Sequence, residues 1–514
     1  MKYFLTLIQL WVGFLSICAS YPKANIWIIP SVESPQVYRN YAQTSKVHLE
    51  MARGEVEHIQ LVFPSKVNEE YRFTFDRYLK GIQISARELK KMNGYYDALV
   101  PFKNQLKCTD TLTAVWITVQ CPSRVPVGKY HQTIKIEGSK HFTIQLDYNV
   151  HHTTIPLKSS IPITVGVENR CMTECLNDKE ADKERQRWVD FVLSYRMTPV
   201  FGTQITPERW QYEHSFSPWA WNDKRSIRLL NDRRYSCYML SFFTLSENEL
   251  ASLLCNIQKK GKLKESLFYI WDEPAYMEDY EQIKRKVNII RKYASDARIL
   301  TTFFCGPRNG PRKGDLYAVF DYLKHHIHVA TISLAPCKGN EEEVQHIRYK
   351  VPEGIDWWSY VCWQPGGNEP NFLLQLKGIQ QRAIMWRTWK NGSQGFLYWN
   401  CNIYHKRNPF TYITDMPHGD GILIYPGDIL GCKGPIASAR LERWRDGAEE
   451  MELLRLVEKN YSKEKADTLL NIVYSSPLSF IEKAHNIPFF RKELLDQLDK
   501  TIPIDYKLRI TDFI

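Results

Sequence analysis

Residues 268–274 read Phe-Tyr-Ile-Trp-Asp-Glu-Pro. Four large apolar or aromatic residues predict a buried strand that runs straight into two adjacent carboxylates, Asp272 and Glu273. Pro274 ends that strand and biases Glu273 toward extended backbone. Acids at the end of a buried strand are costly unless they are paired, solvated or used. Neighbouring carboxylates also repel, which tends to hold one of them protonated near neutral pH. A protonated acid beside an ionised one is what glycosidic bond cleavage needs. The same residues fit a turn whose carboxylates cap the following helix, and the heptapeptide alone leaves both readings open.

Two further strand ends are aromatic. Trp357, Trp358, Tyr360 and Trp363 crowd one, followed by Gly366-Gly367, and Tyr398 with Trp399 closes another, followed by Asn400. Rings from several strand ends can wall a sugar pocket, and they can equally fill a core. Alternation puts Trp357 and Trp358 on opposite faces, so one of them is expected to pack rather than bind. No metal or cofactor site is expected. His325, His326 and His328 lack acidic or cysteine partners at a ligand spacing, there is no Cys-x-x-Cys pair, and Gly306–Gly314 lacks the phosphate-loop pattern.

The elements that must position these residues divide by period. From about residue 21 to 155 the period is two: Phe142, Ile144, Leu146, Tyr148 and Val150 alternate with polar residues. Ala114–Val119 and Lys129–Glu137 are further strands, and together they predict an antiparallel sandwich. From about residue 160, strand and helix alternate. Ile161–Val167 is a strand, and Trp188, Phe191, Val192 and Tyr195 share one helical face. Ser246 and Glu249 form a capping box for a helix ending near Gly261. The strand at 266–271 follows, then a helix over 277–294 and strands at 297–304, 328–334, 355–362 and 394–400. Such alternation predicts a (β/α)₈ barrel, in which reacting groups sit at the C-terminal ends of strands. Past residue 456 a polar helical stretch predicts a cap, since Leu453, Leu456, Leu469 and Leu470 need burial. The expected organisation is a signal segment at 1–20, a β-sandwich at 21–155, a (β/α)₈ barrel of TIM type at 156–455 and a helical C-terminal cap at 456–514.

The 514 residues exceed one hydrophobic core, consistent with several domains. The net charge of +11 is spread without a Lys/Arg block, which argues against nucleic acid as partner. The first 20 residues carry one charge, Lys2, then an apolar stretch from Tyr3 to Ile17 and small residues near Ala19-Ser20. This fits a secretory signal and is short for a membrane span; an uncleaved anchor is the alternative. A secreted or periplasmic location and no stable membrane span follow as expectations. Removing the segment takes Cys18 from the 12 cysteines, leaving an odd number. Cys171 and Cys175 are close enough to bridge, whereas Cys305, Cys362 and Cys401 fall in apolar runs as buried thiols. Asn391 and Asn460 begin glycosylation sequons.

Trp357-Trp358 through Trp363, Trp386-Arg387-Thr388-Trp389, Gly395–Trp399, Gly419-Asp420-Gly421, Tyr425-Pro426-Gly427, Ser438–Leu441 and Arg445–Glu449 occur in an order and spacing that resemble the domain of unknown function 4091. That domain overlaps the catalytic region of glycoside hydrolase family 123. The resemblance covers roughly residues 160–460 and extends to Asp272-Glu273-Pro274, Tyr195-Arg196 and Pro199. It implies a retaining β-N-acetylgalactosaminidase with a substrate-assisted mechanism and a glycan or glycoconjugate as partner. Glu273 would act as acid and then base, and Asp272 would hold the 2-acetamido N–H while the substrate's own carbonyl attacks. Trp357, Trp358, Tyr360, Tyr398, Trp399 and Asp420 are the candidate substrate-binding residues. Arg440, Arg445, Asp446 and Glu449 read as an ion-pair network, not as catalysts. Other specificities on the same scaffold, and a non-catalytic glycan-binding or envelope protein, are the competing readings. A barrel active site requires Asp272 and Glu273 at the C-terminal mouth, with rings from 357–363 and 398–399 around one pocket.

Overall fold

The two-residue period of the N-terminal region builds two five-stranded sheets. The computed structural model describes residues 26–76, 81–174, 176–206, 209–211, 228–241, 245–405, 408–412 and 419–501. One sheet orders Trp27–Pro30, Glu55–Pro64, Leu112–Cys121, Gln83–Met92 and Tyr95–Pro101, all antiparallel. The other contains Lys46–Arg53, His141–Thr154, Gly128–Glu137, Glu70–Phe75 and Gln105–Lys107. Its one parallel pairing, Lys46–Arg53 with His141–Thr154, departs from a purely antiparallel sandwich. Ile59, Leu61, Phe63 and Ile117 meet Ile134, Ile136, Ile144 and Leu146 in a core between the sheets. The outer face of the first sheet is also covered: Val62, Ala114 and Trp116 join the cluster that packs against the barrel helices. Glu55–Pro64 is therefore buried along nearly its whole length, and the polar Glu57, His58 and Gln60 are buried with it.

Eight parallel strands then form the barrel: Ile163–Glu168, Thr198–Thr206, Tyr238–Ser241, Ser266–Trp271, Arg298–Phe303, Val329–Ser333, Asp356–Val361 and Phe396–Tyr398. Pairing is continuous from the third strand through the fourth to the eighth, then to the first and second. Between the second and third strands the described residues show no ladder; the Ser236 N–H donates to Thr198 Oγ1 at 3.3 Å instead. The architecture is an all-β region, a nearly closed TIM-type barrel and a helical C-terminal region, as the two periods predict. Several strands are shorter than expected, the eighth covering 396–398 rather than 394–400, because the flanking residues turn away into loops. The predicted capping box of Ser246 and Glu249 starts the helix Glu247–Lys259, and Gly261 follows in a left-handed conformation at φ 67°.

Alternation sorts the barrel side chains into two cores. Val200, Met239, Leu267, Tyr269, Leu300, Val329, Trp358, Tyr360 and Leu397 point inward. Phe268, Ile270, Ile299, Trp357, Phe396 and Tyr398 join the larger core shared with the helices. The helix Ala439–Asn460 crosses residue 455 unbroken, because Leu453, Leu454 and Val457 face the same core. The helices Lys463–Leu470 and Ile487–Asp499 complete the cap. Among the described residues no helix is long and apolar enough to cross a membrane. Cys175 and the segment 1–20 lie outside the described residues, while Cys362 and Cys401 are buried thiols and Cys305 is half-buried. The Asn391 side chain is fully buried at a helix C-terminus, so this sequon cannot take a glycan in the folded protein.

Arg440 joins sandwich to barrel. Its Nε lies 3.1 Å from both oxygens of Asp97 in strand Tyr95–Pro101, and its Nη1 donates to Phe372 O at 2.7 Å and Gly419 O at 2.6 Å. Both partners are buried. Removing the anion alone leaves a desolvated guanidinium, a change that costs ~3–5 kcal/mol. Asp97→Ala is therefore expected to lower the unfolding free energy by about that much in denaturant titrations, with sandwich and barrel melting together. A loss under ~1 kcal/mol would contradict the assigned role of the pair.

Candidate active site

Adjacent residues of a regular strand point to opposite faces, so on an ideal strand Asp272 and Glu273 would not both face the barrel interior. Two local departures bring them together. The ladder between the fourth and fifth strands slips after Tyr269: Tyr269 pairs with Leu300 but Trp271 with Thr301, a bulge at the strand's end. Glu273 then adopts φ 46°, in the left-handed region. The extended backbone expected at Glu273 from the following proline is thus not what forms. The pre-proline bias is overridden by hydrogen bonds that fix the turn. A side chain held at positive φ is strained, and such strain gathers at functional sites.

Thr302 on the fifth strand holds the turn from both sides. Its hydroxyl accepts the Glu273 backbone N–H at 3.1 Å and donates to Asp272 Oδ1 at 2.7 Å. Tyr269, inward-facing on the fourth strand, donates its hydroxyl to the same Asp272 oxygen at 2.5 Å. Tyr360, inward-facing on the seventh strand, donates to Glu273 Oε1 at 2.5 Å. The helix-capping reading of the two acids fails here. The N–H groups of Ala275 and Tyr276 go to Asp279 and that of Met277 to Asn309, so the helix Met277–Tyr293 is capped without them.

The two carboxylates therefore have different surroundings. Solvent reaches both. Glu273 nevertheless lies low enough among protein atoms for burial to be the main cause that pushes its carboxyl up to about 7, with the charge of Asp272 adding to it. The Tyr360 hydrogen bond and the Arg308 guanidinium oppose that rise. Asp272 is met by two hydroxyl donors, those of Tyr269 and Thr302. A carboxyl pushed up toward neutrality beside a second carboxyl held by hydroxyl donors is an arrangement that acid-base chemistry at a glycosidic bond can use.

The other sequence candidates separate by face. Tyr360 reaches Glu273 directly. Trp358 is inward but fully buried and packs where a Cβ on Gly395 would meet its ring at 2.2 Å. Trp357 faces the helices. Tyr398 also lies on the helix side, and its hydroxyl donates to Asp420 Oδ1 at 3.0 Å. Trp399 belongs to the inner set and donates Nε1–H to the same Asp420 oxygen at 2.9 Å. Burial pushes the Asp420 carboxyl up to about 6, and its Oδ2 is buried with no hydrogen-bond partner among the described residues. Trp363, 39% exposed, stacks on Phe304 at 6.1 Å and 16° between planes, giving the mouth an aromatic rim. Tyr269 and Thr302 were missed in the sequence; an inward polar residue at the end of the neighbouring strand is the signal that could have found Thr302.

The catalytic-domain model of glycoside hydrolase 123 matches residues 183–457, more than half of the chain. The chain belongs to glycoside hydrolase family 123. This family 123 enzyme shares its fold with a family 123 glycoside hydrolase from Clostridium perfringens studied for glycolipid glycan hydrolysis. The TM-score is 0.67 at 14% identity, with 95% of this chain and all of the other covered. A family 5 xyloglucanase from Bacteroides ovatus (11% identity, 79% and 98% of the two chains, TM-score 0.28) superposes too loosely to bear on the fold. The same is true of a family 2 β-galacturonidase from Eisenbergiella tayi (9%, 77% and 89%, TM-score 0.33). No curated protein matches the chain.

The raised Glu273 carboxyl has a thermodynamic signature. Its ionised form is disfavoured in the folded state, so its penalty is absent below the unfolded value near 4.5 and fully present above about 7. Glu273→Gln is expected to raise the melting temperature at pH 8 and to leave it unchanged near pH 4. An equal effect at both pH values would show that Glu273 does not titrate across that window.

Proposed function

We propose that this family 123 enzyme cleaves terminal β-N-acetylgalactosaminides, or related N-acetylhexosaminides, with retention and with the substrate's acetamido group as nucleophile. The observation that carries the reading is the adjacent pair at the barrel mouth, with Glu273 bonded by Tyr360 and pushed up to about 7 by burial, and Asp272 held by Tyr269 and Thr302. In the first step the acetamido oxygen attacks the anomeric carbon as the glycosidic C–O bond breaks. Glu273 gives its proton to the departing oxygen, and Asp272 accepts the acetamido N–H, stabilising positive charge on the cyclised intermediate. In the second step the Glu273 carboxylate takes a proton from water, which opens the ring at the anomeric carbon with net retention. No protein carboxylate need form a glycosyl ester, because the substrate brings its own nucleophile.

Tyr360 keeps the Glu273 carboxyl aimed, and Trp399 packs against the inward set of barrel side chains. Asp420, fully buried, holds Tyr398 and Trp399 in place behind the site. Trp357, Trp358 and Tyr398 act behind this layer through packing and through Asp420. The apolar segment at Tyr3–Ile17 supports export to a secreted or periplasmic location.

Chromogenic β-GalNAc and β-GlcNAc glycosides assayed side by side test the specificity. Glu273→Gln is expected to cost ~10²–10⁴-fold on substrates with poor leaving groups and much less on activated aryl glycosides. Asp272→Asn should slow both kinds, and a thiazoline mimic of the cyclised intermediate should bind well above substrate affinity. Trapping of a glycosyl ester on a carboxylate would refute the substrate-assisted route. A protein that binds glycans but hydrolyses none, with binding unmoved by Glu273→Gln, would replace hydrolysis with recognition.

A further inference from the structure

Between the sandwich, the helix Gly378–Lys390 and the cap lies a cleft of about 660 Å³. That volume is in the range of small-ligand sites. None of its lining residues belongs to a barrel strand or to the surroundings of Asp272 and Glu273. On the sandwich side the hairpin of Gln83–Met92 and Tyr95–Pro101 turns through Asn93 and Gly94, at φ 48° and 84°. Two successive positive φ values mark the tight hairpin turn that matches strand twist. This turn holds the Tyr95 ring out at the cleft, 43% exposed. Tyr41 lines the same wall, its hydroxyl engaged with the Glu33 carboxylate. Gln375 and the N-terminal end of the Gly378 helix face them.

The charge of the lining selects the ligand class. Asp97 is paired with Arg440, and Lys377 lies 3.5 Å from Glu482. The remaining arginine, Arg443, is buried and bonds neutral acceptors: Ser31 O at 2.7 Å, Gln381 Oε1 at 2.8 Å and Glu33 O at 3.5 Å. The Glu33 carboxylate stands close by and opposes an anion. Cations and anions thus balance, which favours neither a charged metabolite nor a metal. An apolar ligand would strand the amides and charges unpaired. The exposed Tyr95 ring and the half-buried Tyr41, flanked by amides and a carboxylate, suit a ligand with apolar sugar faces and many hydroxyls.

We propose that this cleft is a second carbohydrate-binding site, taking a neutral oligosaccharide outside the catalytic mouth. Arg440 forms part of its lining and also bonds Gly419 O, so the cleft abuts the turn that carries Asp420. A glycan held there keeps its other branches at high local concentration near Glu273.

The test uses the full-length Glu273→Gln protein, in which turnover does not interfere. Calorimetry with neutral N-acetylhexosamine-containing hexasaccharides, and with their sulfated counterparts, is expected to show binding of the neutral set that weakens roughly tenfold with Tyr95→Ala or Gln375→Ala. In the otherwise native protein the same substitutions should leave turnover of a small aryl glycoside unchanged and raise KM for a long glycoconjugate. Affinity unmoved by both substitutions, preference for the sulfated set, or no binding at all would overturn the proposal. Binding is read without hydrolysis, so an inactive protein that still shows Tyr95-dependent binding would refute the proposed reaction and not this site.

Discussion

Charge taken out of water must be paired where it lies, and the helix Ala439–Asn460 imposes that constraint on the whole molecule. It carries Arg440, Glu442, Arg443, Arg445, Asp446, Glu449, Glu450 and Glu452 into the interior. Each calls a partner from another layer. Glu442 takes Arg87 of the sandwich and the Tyr195 hydroxyl. Glu449 accepts the Val56 N–H and pairs with Arg196, which leads into the second barrel strand. Glu450 binds Arg382 of the neighbouring helix, and Arg491 of the cap reaches Glu55 and Glu57. The Trp116 indole, a donor only, points at His58 Nδ1, so the other ring nitrogen faces Glu442 and Asp446. Such pairs add little net stability over apolar packing, but each is costly to break singly. They fix how sandwich, barrel and cap sit together.

That registration reaches the active site through backbone. Arg440 bonds the carbonyls of Phe372 and Gly419, and Gly419 precedes Asp420. Asp420 in turn collects Tyr398 from the outer layer and Trp399 from the inner one. The sandwich, through Asp97 and Arg440, thus helps set where the turn carrying Asp420 stands. Close approach between helices completes the scaffold: a Cβ on Gly447 would lie 2.2 Å from Arg382 O.

Much of this was legible from residues alone. The strand 266–271 was bounded by its apolar run and its proline, and the acids at its end followed from the position of strand ends in a barrel. The sandwich was readable because Phe142 to Val150 alternate without interruption. What stayed hidden depends on contacts between distant segments. The bulge after Tyr269 is a property of a ladder with the fifth strand, and the left-handed Glu273 answers to the Thr302 hydroxyl 29 residues away. Tyr398 looked like a sugar contact because it ends a strand; its face is decided by register with strands one and seven. The Ala439–Asn460 helix reads as an ion-pair network from its residue types, but which layers its charges join is visible only in their partners.

The left-handed backbone at Glu273 bears on how such an enzyme can change over time. At φ 46° glycine or asparagine would sit with less strain than glutamate. On the proposed mechanism, folding and catalysis pull this position in opposite directions, and the carboxylate persists where hydrolysis is under selection. A descendant released from that selection gains foldability by the same substitution that ends its chemistry. The barrel would then survive as a well-formed, inert receptor for glycans, with the Thr302 hydroxyl still bound to the backbone of the residue that replaced the acid.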